Sequence, residues 1–386
     1  MDTTRTFIFA GGGTGGHLFP GLAIAQAIAG ARGSGGTGVP SLHTHCLFLC
    51  STRPLDSRIL AAEGADFRTL PAQPPGLHPR RLARFLANWG SSVRLARQVI
   101  REHKARGPVH LVAMGGFVAA PAVQAARVER IPITLINLDA VPGRANRWIA
   151  RHARRSARAG GAGVLTAAPV SAPYARDWKP IPPIIRREAV ASRPAAECRH
   201  ALGLDPARPT LMVTGGSQGA RSVDDFMAAF ARNHAAALGR WQVIHQCGAD
   251  GEEPLRGVYA SLGIPALVQP FVSRMADWWG AADLAVSRAG AGSVAEVWAN
   301  RVPTLFLPYP FHRDQHQRSN AQPLVDAGGA AIATDLVDPA RNLETAGPVL
   351  RALASDPTRR AAMRAALLRL GPADGADRAA MALLSA

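Results

Sequence analysis

The sequence predicts an α/β protein of two Rossmann-like domains, each built on a parallel sheet, and three observations predict it. A short apolar run that opens into a glycine loop and then a helical pattern occurs once in each half of the chain. Apolar runs of strand length alternate with helical segments on both sides of the midpoint. The length of 386 residues suits two domains of about 150 residues or slightly more, each burying its own core. Such alternation gives sheets covered by helices, with the strand-to-helix loops gathered along one edge.

In chain order, Phe7–Ala10 is the first buried strand, Gly11–His17 the first glycine loop, and Pro20 to about Arg32 the first helix. Gly30–Pro40 is a surface insertion. His45–Cys50, Val109–Met114 and Ile133–Asn137 continue the strand pattern, the last two followed by glycine or proline loops. Prolines interrupt both helix and strand, so Trp178–Arg186 and the Ala-rich stretch to about His200 form the connector. The second half opens with Thr210–Thr214, the loop Gly215–Gly219 and a helix to about Asn233. Trp241–Gln246, Ala266–Gln269, Leu284–Ser287 and Thr304–Leu307 are its further strands. The expected organisation is a domain over 1–185, a linker over 186–204, a second domain over 205–370, and a helical tail over 371–386 that folds back across the domain boundary. The cleft between the domains is the expected site.

Composition narrows the functional classes. An apolar content of 47% excludes a largely disordered chain. Cys46, Cys50, Cys198 and Cys247 form no CxxC pair and no His/Cys metal spacing, so neither a disulfide scaffold nor structural zinc is expected. The N-terminus runs into a strand and a glycine turn without an export signal's apolar stretch, which predicts a protein that stays in the cytoplasm. No segment reads as a membrane span. The net charge is +17, and +16 of it falls in residues 1–190.

Closely spaced glycines let backbone N–H groups approach an anion, and the following helix adds positive potential at its first turn. Phosphate or diphosphate binding follows chemically, while a tight turn alone explains the same residues. The second loop adds Ser217 and Gln218 as hydrogen-bond donors.

Six ordered motifs then carry a resemblance across almost the whole chain: GGGTGGHLFP at Gly11–Pro20, MGGFVAAP at Met114–Pro121, GGSQGA at Gly215–Ala220, HQCG at His245–Gly248, SRAGAGSVAE at Ser287–Glu296 and DQHQRSNA at Asp314–Ala321. In these the chain resembles the GT-B glycosyltransferases of family 28. The resemblance implies two Rossmann-like domains with parallel sheets facing a central cleft. It implies inverting transfer of N-acetylglucosamine from UDP-GlcNAc to the 4-hydroxyl of the N-acetylmuramoyl unit of lipid I, giving lipid II and UDP. The N-terminal domain would receive the lipid-linked acceptor and the C-terminal domain the nucleotide sugar.

Residue by residue, the resemblance implies a catalytic position for His17, whose near-neutral pKa suits proton transfer. Ordering the turn and hydrogen bonding to phosphate or sugar remain alternative roles for it. Thr14, Gly15, Gly16, Gly216, Ser217 and Gln218 are implied on the donor side. So is Arg186, although the family's Gly-Asn-Pro turn before it reads Pro182–Ile185 here. Phe271 and Met275 match the uracil-pocket region, with core packing as the alternative. Glu296 is assigned to the ribose. Ser293, three residues earlier, is a donor residue that also permits a purely local capping box. Asp314, His316, Gln317 and Asn320 form a polar cluster suited to donor sugar and nucleotide, of which His316 and Gln317 are taken as donor contacts. Arg288 orders its turn.

Acceptor binding is implied for Gly13, Gly115, Gly116, Asn137 and Asp139. Here the chain departs from the family. Where the family presents His-Glu-Gln-Asn, this sequence reads Ile136–Asp139, in which Asp139 can accept a proton or a sugar hydrogen bond and is taken for a catalytic role beside His17, Asn137 can donate, and loop capping is the alternative for both. Another lipid or natural-product acceptor, or a catalytically weakened lipid-binding scaffold, fits that change.

The basic first half is threaded through apolar helical positions: Leu82, Phe85, Leu86, Trp89, Val93, Ala96 and Ile100 among arginines between His78 and Arg106, and Trp148 and Ile149 within an arginine patch from Arg144 to Arg158. This arrangement favours anionic inner-membrane lipids over nucleic acid as the partner. An ordinary solvated arginine face is the alternative; with the resemblance, the implied location is the cytoplasmic side of the plasma or inner membrane, held peripherally, and cell-wall synthesis proteins are implied as further partners. No acidic metal cage is legible, so neither a metal nor a cofactor is expected.

Overall fold

A computed structural model describes residues 4–13, 15–31, 43–74, 78–170, 177–216 and 219–386. The chain divides into two compact units, residues 1–186 with 374–386, and residues 187–373. Most of the Gly30–Pro40 insertion, and the predicted site residues Thr14, Ser217 and Gln218, lie outside the described residues.

The first unit runs β1 (Thr4–Ala10), α1 (Gly15–Gly30), β2 (His43–Ser51), α2 (Pro54–Ala62), β3 (Asp66–Leu70), α3 (Pro79–Lys104), β4 (Val109–Ala113), α4 (Gly116–Val128), β5 (Ile133–Asn137), α5 (Arg144–Ser156), β6 (Gly163–Thr166) and β7 (Trp178–Pro180). Its sheet has the order β3-β2-β1-β4-β5-β6-β7, and every neighbouring pair is parallel. Phe7, Ile8, Phe9 and Ala10 are all fully buried, as a central strand covered on both faces requires. Ile8 and Ala10 join Leu47, Leu111 and Leu135 in one core cluster. Phe9, out of phase with them, stacks on Phe48 at 5.1 Å.

Two local expectations change. The first helix begins at Gly15 rather than Pro20. Its first-turn N–H groups have no intrahelical acceptors in any case, so the turn tolerates Gly15 and Gly16, and burial of Leu18, Leu22, Ile24 and Ile28 anchors the remaining turns. His17 consequently sits in the first helical turn and not in the loop. The Pro-rich connector also begins as strand, since Trp178 pairs with Val164 and Pro180 with Thr166 at the sheet edge. An edge strand tolerates a missing N–H, and buried Trp178 holds it to the core.

The second unit runs α6 (Ala195–Ala201), β8 (Thr210–Thr214), α7 (Arg221–Asn233), α8 (Ala235–Leu238), β9 (Gln242–Gln246), α9 (Glu252–Ser261), β10 (Ala266–Gln269), α10 (Met275–Ala281), β11 (Leu284–Ser287), α11 (Ala291–Asn300), β12 (Thr304–Phe306), α12 (His316–Asp326), β13 (Ala330–Ile332), α13 (Pro339–Thr345), α14 (Gly347–Ser355) and α15 (Pro357–Arg369). Its parallel sheet has the order β10-β9-β8-β11-β12-β13. Leu211, Val213, Val243 and Val286 enter one core, while Met212, Ile244 and Ala285 enter the other. This alternation is the period of two that a strand imposes.

Within 186–204, α6 packs on α10, where a Cβ at Gly280 would lie 2.5 Å from the Cys198 sulfur. The last helix, α16 (Gly375–Leu384), packs against α1 in the first unit. Gly375 meets the Pro182 carbonyl so closely that a Cβ would fall 1.9 Å from it. The Arg5 guanidinium donates to the carbonyls of Leu383 and Leu384, at 3.1 and 2.8 Å. No described helix is long and apolar enough to cross a membrane.

Candidate functional site

In the first unit the ends of β1, β4 and β5 bring three predicted segments together. The first glycine loop is pinned from below by Asp56, fully buried in the first turn of α2. Its Oδ2 accepts from the Gly13 N–H at 2.8 Å, the Ser51 N–H at 3.1 Å and the Ser51 hydroxyl at 2.6 Å. Arg53 closes the loop from the other side by donating to the Gly13 carbonyl at 2.6 Å. Gly13 has φ +89°, and a Cβ there would meet the Phe117 ring at 2.5 Å. Sequence reasoning passed over Asp56 because its partners lie in two other segments.

His17 lies over Gly116, where φ is +74° and a Cβ would approach the imidazole Cε1 to 3.3 Å. The glycine thus leaves room for the ring. The His17 Nδ1 is buried and finds no hydrogen-bond partner among the described residues. Burial lowers the His17 pKa below its ordinary 6.5, against the opposing pull of the Asp139 and Asp56 carboxylates. An unprotonated imidazole with an unbonded nitrogen is chemically a base.

Asn137 has a different environment from an exposed contact. It is fully buried, donates to the Asp139 carbonyl at 2.8 Å and the Thr166 hydroxyl at 3.1 Å, and accepts from Asn146 at 3.1 Å. It therefore fixes the direction in which the loop carrying half-buried Asp139 leaves β5. Gly115 makes room for the same network, since a Cβ there would lie 2.7 Å from the Asn146 oxygen. Arg186 turns back onto this unit: it forms an ion pair with Glu63 and lies over the Phe19 ring at 4.2 Å.

In the second unit the loop after β8 rests on the HQCG segment. Gly219, at φ +70°, touches Gly248, where a Cβ would come within 2.6 Å. Beneath it, buried His245 contacts Asp224 at 3.1 Å and the Tyr259 hydroxyl at 3.0 Å, while Asp224 also accepts from the Gly248 N–H at 3.1 Å. The motif's histidine is a support for the loop.

Gly216 faces α11, with a Cβ there placed 3.9 Å from the Ser293 hydroxyl. The N-terminus of α11 carries no side-chain cap, and Gly290 and Gly292 border open space. Its N–H groups and helix potential suit an anion. Along the same helix, the Glu296 carboxylate accepts from the indole N–H of buried Trp279 at 2.9 Å. Trp279 was not legible as a site residue, being one of two adjacent tryptophans in a core helix.

Arg288 orders its turn. It is buried, donates to the Leu307 carbonyl and the Ser222 hydroxyl at 2.7 Å each, and pairs with Asp335 at 2.7 Å. Burial raises the Asp335 pKa, but bonds from Ser222, Asn342 and Val337 together with the Arg288 charge bring it below its ordinary value. Asn320, also buried, reaches the Ala289 carbonyl at 3.4 Å. Gln317 accepts from the Tyr309 N–H at 2.9 Å, and His316 meets Asp314 at 2.8 Å. Phe271 is 74% exposed and so stands outside the core, whereas Met275 packs partly into it.

The basic helix α3 divides in two. Its C-terminal half buries Ala96, Val99 and Ile100, and there Arg97 and Arg101 both bond Glu129, at 2.8 and 3.0 Å. Nearer its start, Leu86 is 61% exposed beside the paired rings of Phe85 and Trp89 and the exposed Arg84. In α5, Arg154 pairs with Asp177, while Ile149 and Ala153 are buried.

Comparison with known proteins follows this division. Residues 7–157 match the glycosyltransferase family 28 N-terminal domain, and residues 210–378 match the family 28 C-terminal domain. A UDP-N-acetylglucosamine--N-acetylmuramyl-(pentapeptide) pyrophosphoryl-undecaprenol N-acetylglucosamine transferase from Xylella fastidiosa is 35% identical over 379 residues, covering 97% of this chain and 94% of the relative. Its counterpart in Acidothermus cellulolyticus is 36% identical, with 97% and 95% covered. Among solved structures, MurG of Acinetobacter baumannii aligns over 100% of both chains with a TM-score of 0.71 at 22% identity. The calicheamicin glycosyltransferase CalG4 aligns with a TM-score of 0.62 at 15% identity, over 99% of this chain and 98% of its own.

Proposed function

The chain belongs to glycosyltransferase family 28 and has the GT-B fold, and on that premise we propose the reaction its near-full-length relatives are named for. It is a UDP-N-acetylglucosamine-dependent transferase that glycosylates undecaprenyl-diphosphate-linked N-acetylmuramyl-pentapeptide, lipid I, in cell-wall synthesis. Relatives at 34–36% identity covering 97–99% of the chain carry this reading.

In the transfer, the acceptor's 4-hydroxyl oxygen forms a bond to the anomeric carbon as that carbon's bond to the UDP oxygen breaks, inverting the centre. The hydroxyl proton passes to His17, and Asp139 favours the imidazolium that results. Gly13, Gly115 and Gly116 shape the acceptor side, with Asn137 holding the Asp139 loop. On the donor side, Gly216, Ser217, Gln218 and the start of α11 receive the diphosphate and stabilise the charge growing on UDP. Thr14, the first-turn N–H groups of Gly15 and Gly16 and the Arg186 guanidinium are assigned to the donor as well. Glu296 and Ser293 take the ribose and its phosphate, Phe271 and Met275 the uracil, and His316 and Gln317 the sugar.

Purified protein with UDP-N-acetylglucosamine and a short-chain lipid I tests the reaction. Equimolar UDP and a disaccharide lipid are expected. UDP release with another lipid alcohol but not with lipid I would shift the acceptor, and lipid binding without UDP release would favour a scaffold.

Docking to anionic lipid is part of the same proposal, with the exposed end of α3 and the arginines of α5 as its contacts. A basic side chain near an anionic surface contributes about 1 kcal/mol, screened by salt. Sedimentation with phosphatidylglycerol vesicles is expected to weaken as salt rises and to weaken further in Leu86→Asp. Equal binding to neutral phosphatidylcholine vesicles would reject the electrostatic contact.

A further inference from the structure

The loop between β12 and α12 carries a feature that the transfer reaction does not require. His312, Asp314 and His316 each direct one ligand-type atom into the same space, and these atoms lie within 4.8 Å of one another. The chain reverses at Gln315, whose φ is +48°. The Gln315 backbone N–H and side-chain amide both bond the His312 carbonyl, at 3.1 and 2.8 Å. That turn brings the His312 ring over the His316 ring, with centroids 4.3 Å apart and planes at 27°. His316 Nδ1 is already 2.8 Å from the Asp314 carboxylate. Tyr309 packs edge-on against His312 at 4.8 Å and backs the pair.

Two imidazoles and one carboxylate form a borderline donor set. It suits Zn²⁺ or Co²⁺, whereas Mg²⁺ and Ca²⁺ favour oxygen ligands throughout. Metal–ligand lengths of about 2.0–2.2 Å require neighbouring ligand atoms about 3–3.5 Å apart. The His316–Asp314 pair, at 2.8 Å, is already that close, and all three ligand atoms lie within 4.8 Å of one another. The Asp314 side chain is 50% exposed and His316 22%, so an ion has a path in. Asp314 also supplies the negative charge that a cation needs beside the positive first turn of α12.

We propose that His312, Asp314 and His316 form a three-ligand site for a divalent transition metal, with a coordination position left for water or a ligand oxygen. Resting on the donor reading given above, occupancy competes with UDP-N-acetylglucosamine because it engages His316. Metal here is an inhibitor and not a participant in transfer.

Calorimetric titration of the dialysed full chain with Zn²⁺, without nucleotide sugar, tests the site. One equivalent is expected, with affinity lowered at least about tenfold by His312→Ala and by Asp314→Asn, unchanged far-UV circular dichroism, and no comparable binding of Mg²⁺. Zn²⁺ affinity unmoved in both variants, or absence of a one-site isotherm, overturns the proposal. UDP-N-acetylglucosamine is expected to weaken Zn²⁺ binding in the wild type while still binding His312→Ala. Zn²⁺ binding that is lost in the variants but indifferent to the nucleotide sugar would leave the metal site standing and remove His316 from the donor set.

Discussion

His17→Ala is expected to lower kcat by about 10²–10⁴-fold, the range for losing a positioned general base, with little change in affinity for UDP-N-acetylglucosamine. Three observations lead there: the ring lies over a glycine with φ +74° where a Cβ would crowd it at 3.3 Å, its Nδ1 is buried without a hydrogen-bond partner among the described residues, and burial depresses its pKa. A depressed pKa leaves the imidazole unprotonated at neutral pH. As pH falls below 6.5 and through the lowered folded-state value, the ring takes a proton and kcat falls. The same shift sets a stability effect. Below 6.5 the unfolded chain binds this proton more readily, so folding loses stability with acid, and His17→Ala removes that part of the loss. A pH profile of kcat for wild type, His17→Ala and His17→Asn measures both roles, since asparagine retains polarity at the turn without a base. If His17→Asn keeps wild-type kcat, or the acid limb survives both replacements, the proton goes elsewhere.

What the sequence made legible was the repeated grammar and the motif-bearing segments, because both depend on neighbours in the chain. Glycine loops following apolar runs announce strand ends directly: β8 stands at Thr210–Thr214 as the pattern predicts, and β1, at Thr4–Ala10, ends where predicted and begins three residues before Phe7. The supports of the site were less visible because their partners are brought together by the sheets. Asp56 holds Gly13 across 43 residues, and Trp279 holds Glu296 across 17. Asn137 illustrates the same limit: its position beside a loop suggested a contact, yet burial commits its amide to Thr166, Asn146 and the Asp139 carbonyl. Charge counting likewise overstated the free surface of α3, where Arg97 and Arg101 tie it to Glu129 at the end of α4. A lone acidic residue among cations was the signal for that pairing, and it becomes readable once the two helices are known to be neighbours.

On the donor side, Glu296→Ala is expected to weaken UDP-N-acetylglucosamine binding by about 10–100-fold, corresponding to about 1.5–3 kcal/mol for a hydrogen bond to a charged group, while kcat at saturation changes little. The carboxylate is aimed by Trp279, whose buried indole N–H bonds it at 2.9 Å, and Ser293 lies one turn earlier facing Gly216. A ribose bound by Glu296 therefore places its diphosphate toward the uncapped helix start and the glycine loop. The buried indole creates an ambiguity that a single alanine cannot resolve, since removing the carboxylate also strips the indole of its acceptor and destabilises the fold. Trp279→Phe separates the two effects by removing the N–H and retaining most of the ring volume. If Glu296 contacts the ribose, Trp279→Phe weakens the nucleotide sugar less than Glu296→Ala does, and Glu296→Gln, which preserves an acceptor for the indole, falls between them. If all three variants lose thermal stability together while titrations of the folded protein retain wild-type nucleotide affinity, Glu296 is an internal partner of Trp279, and ribose recognition must come from other residues around α11.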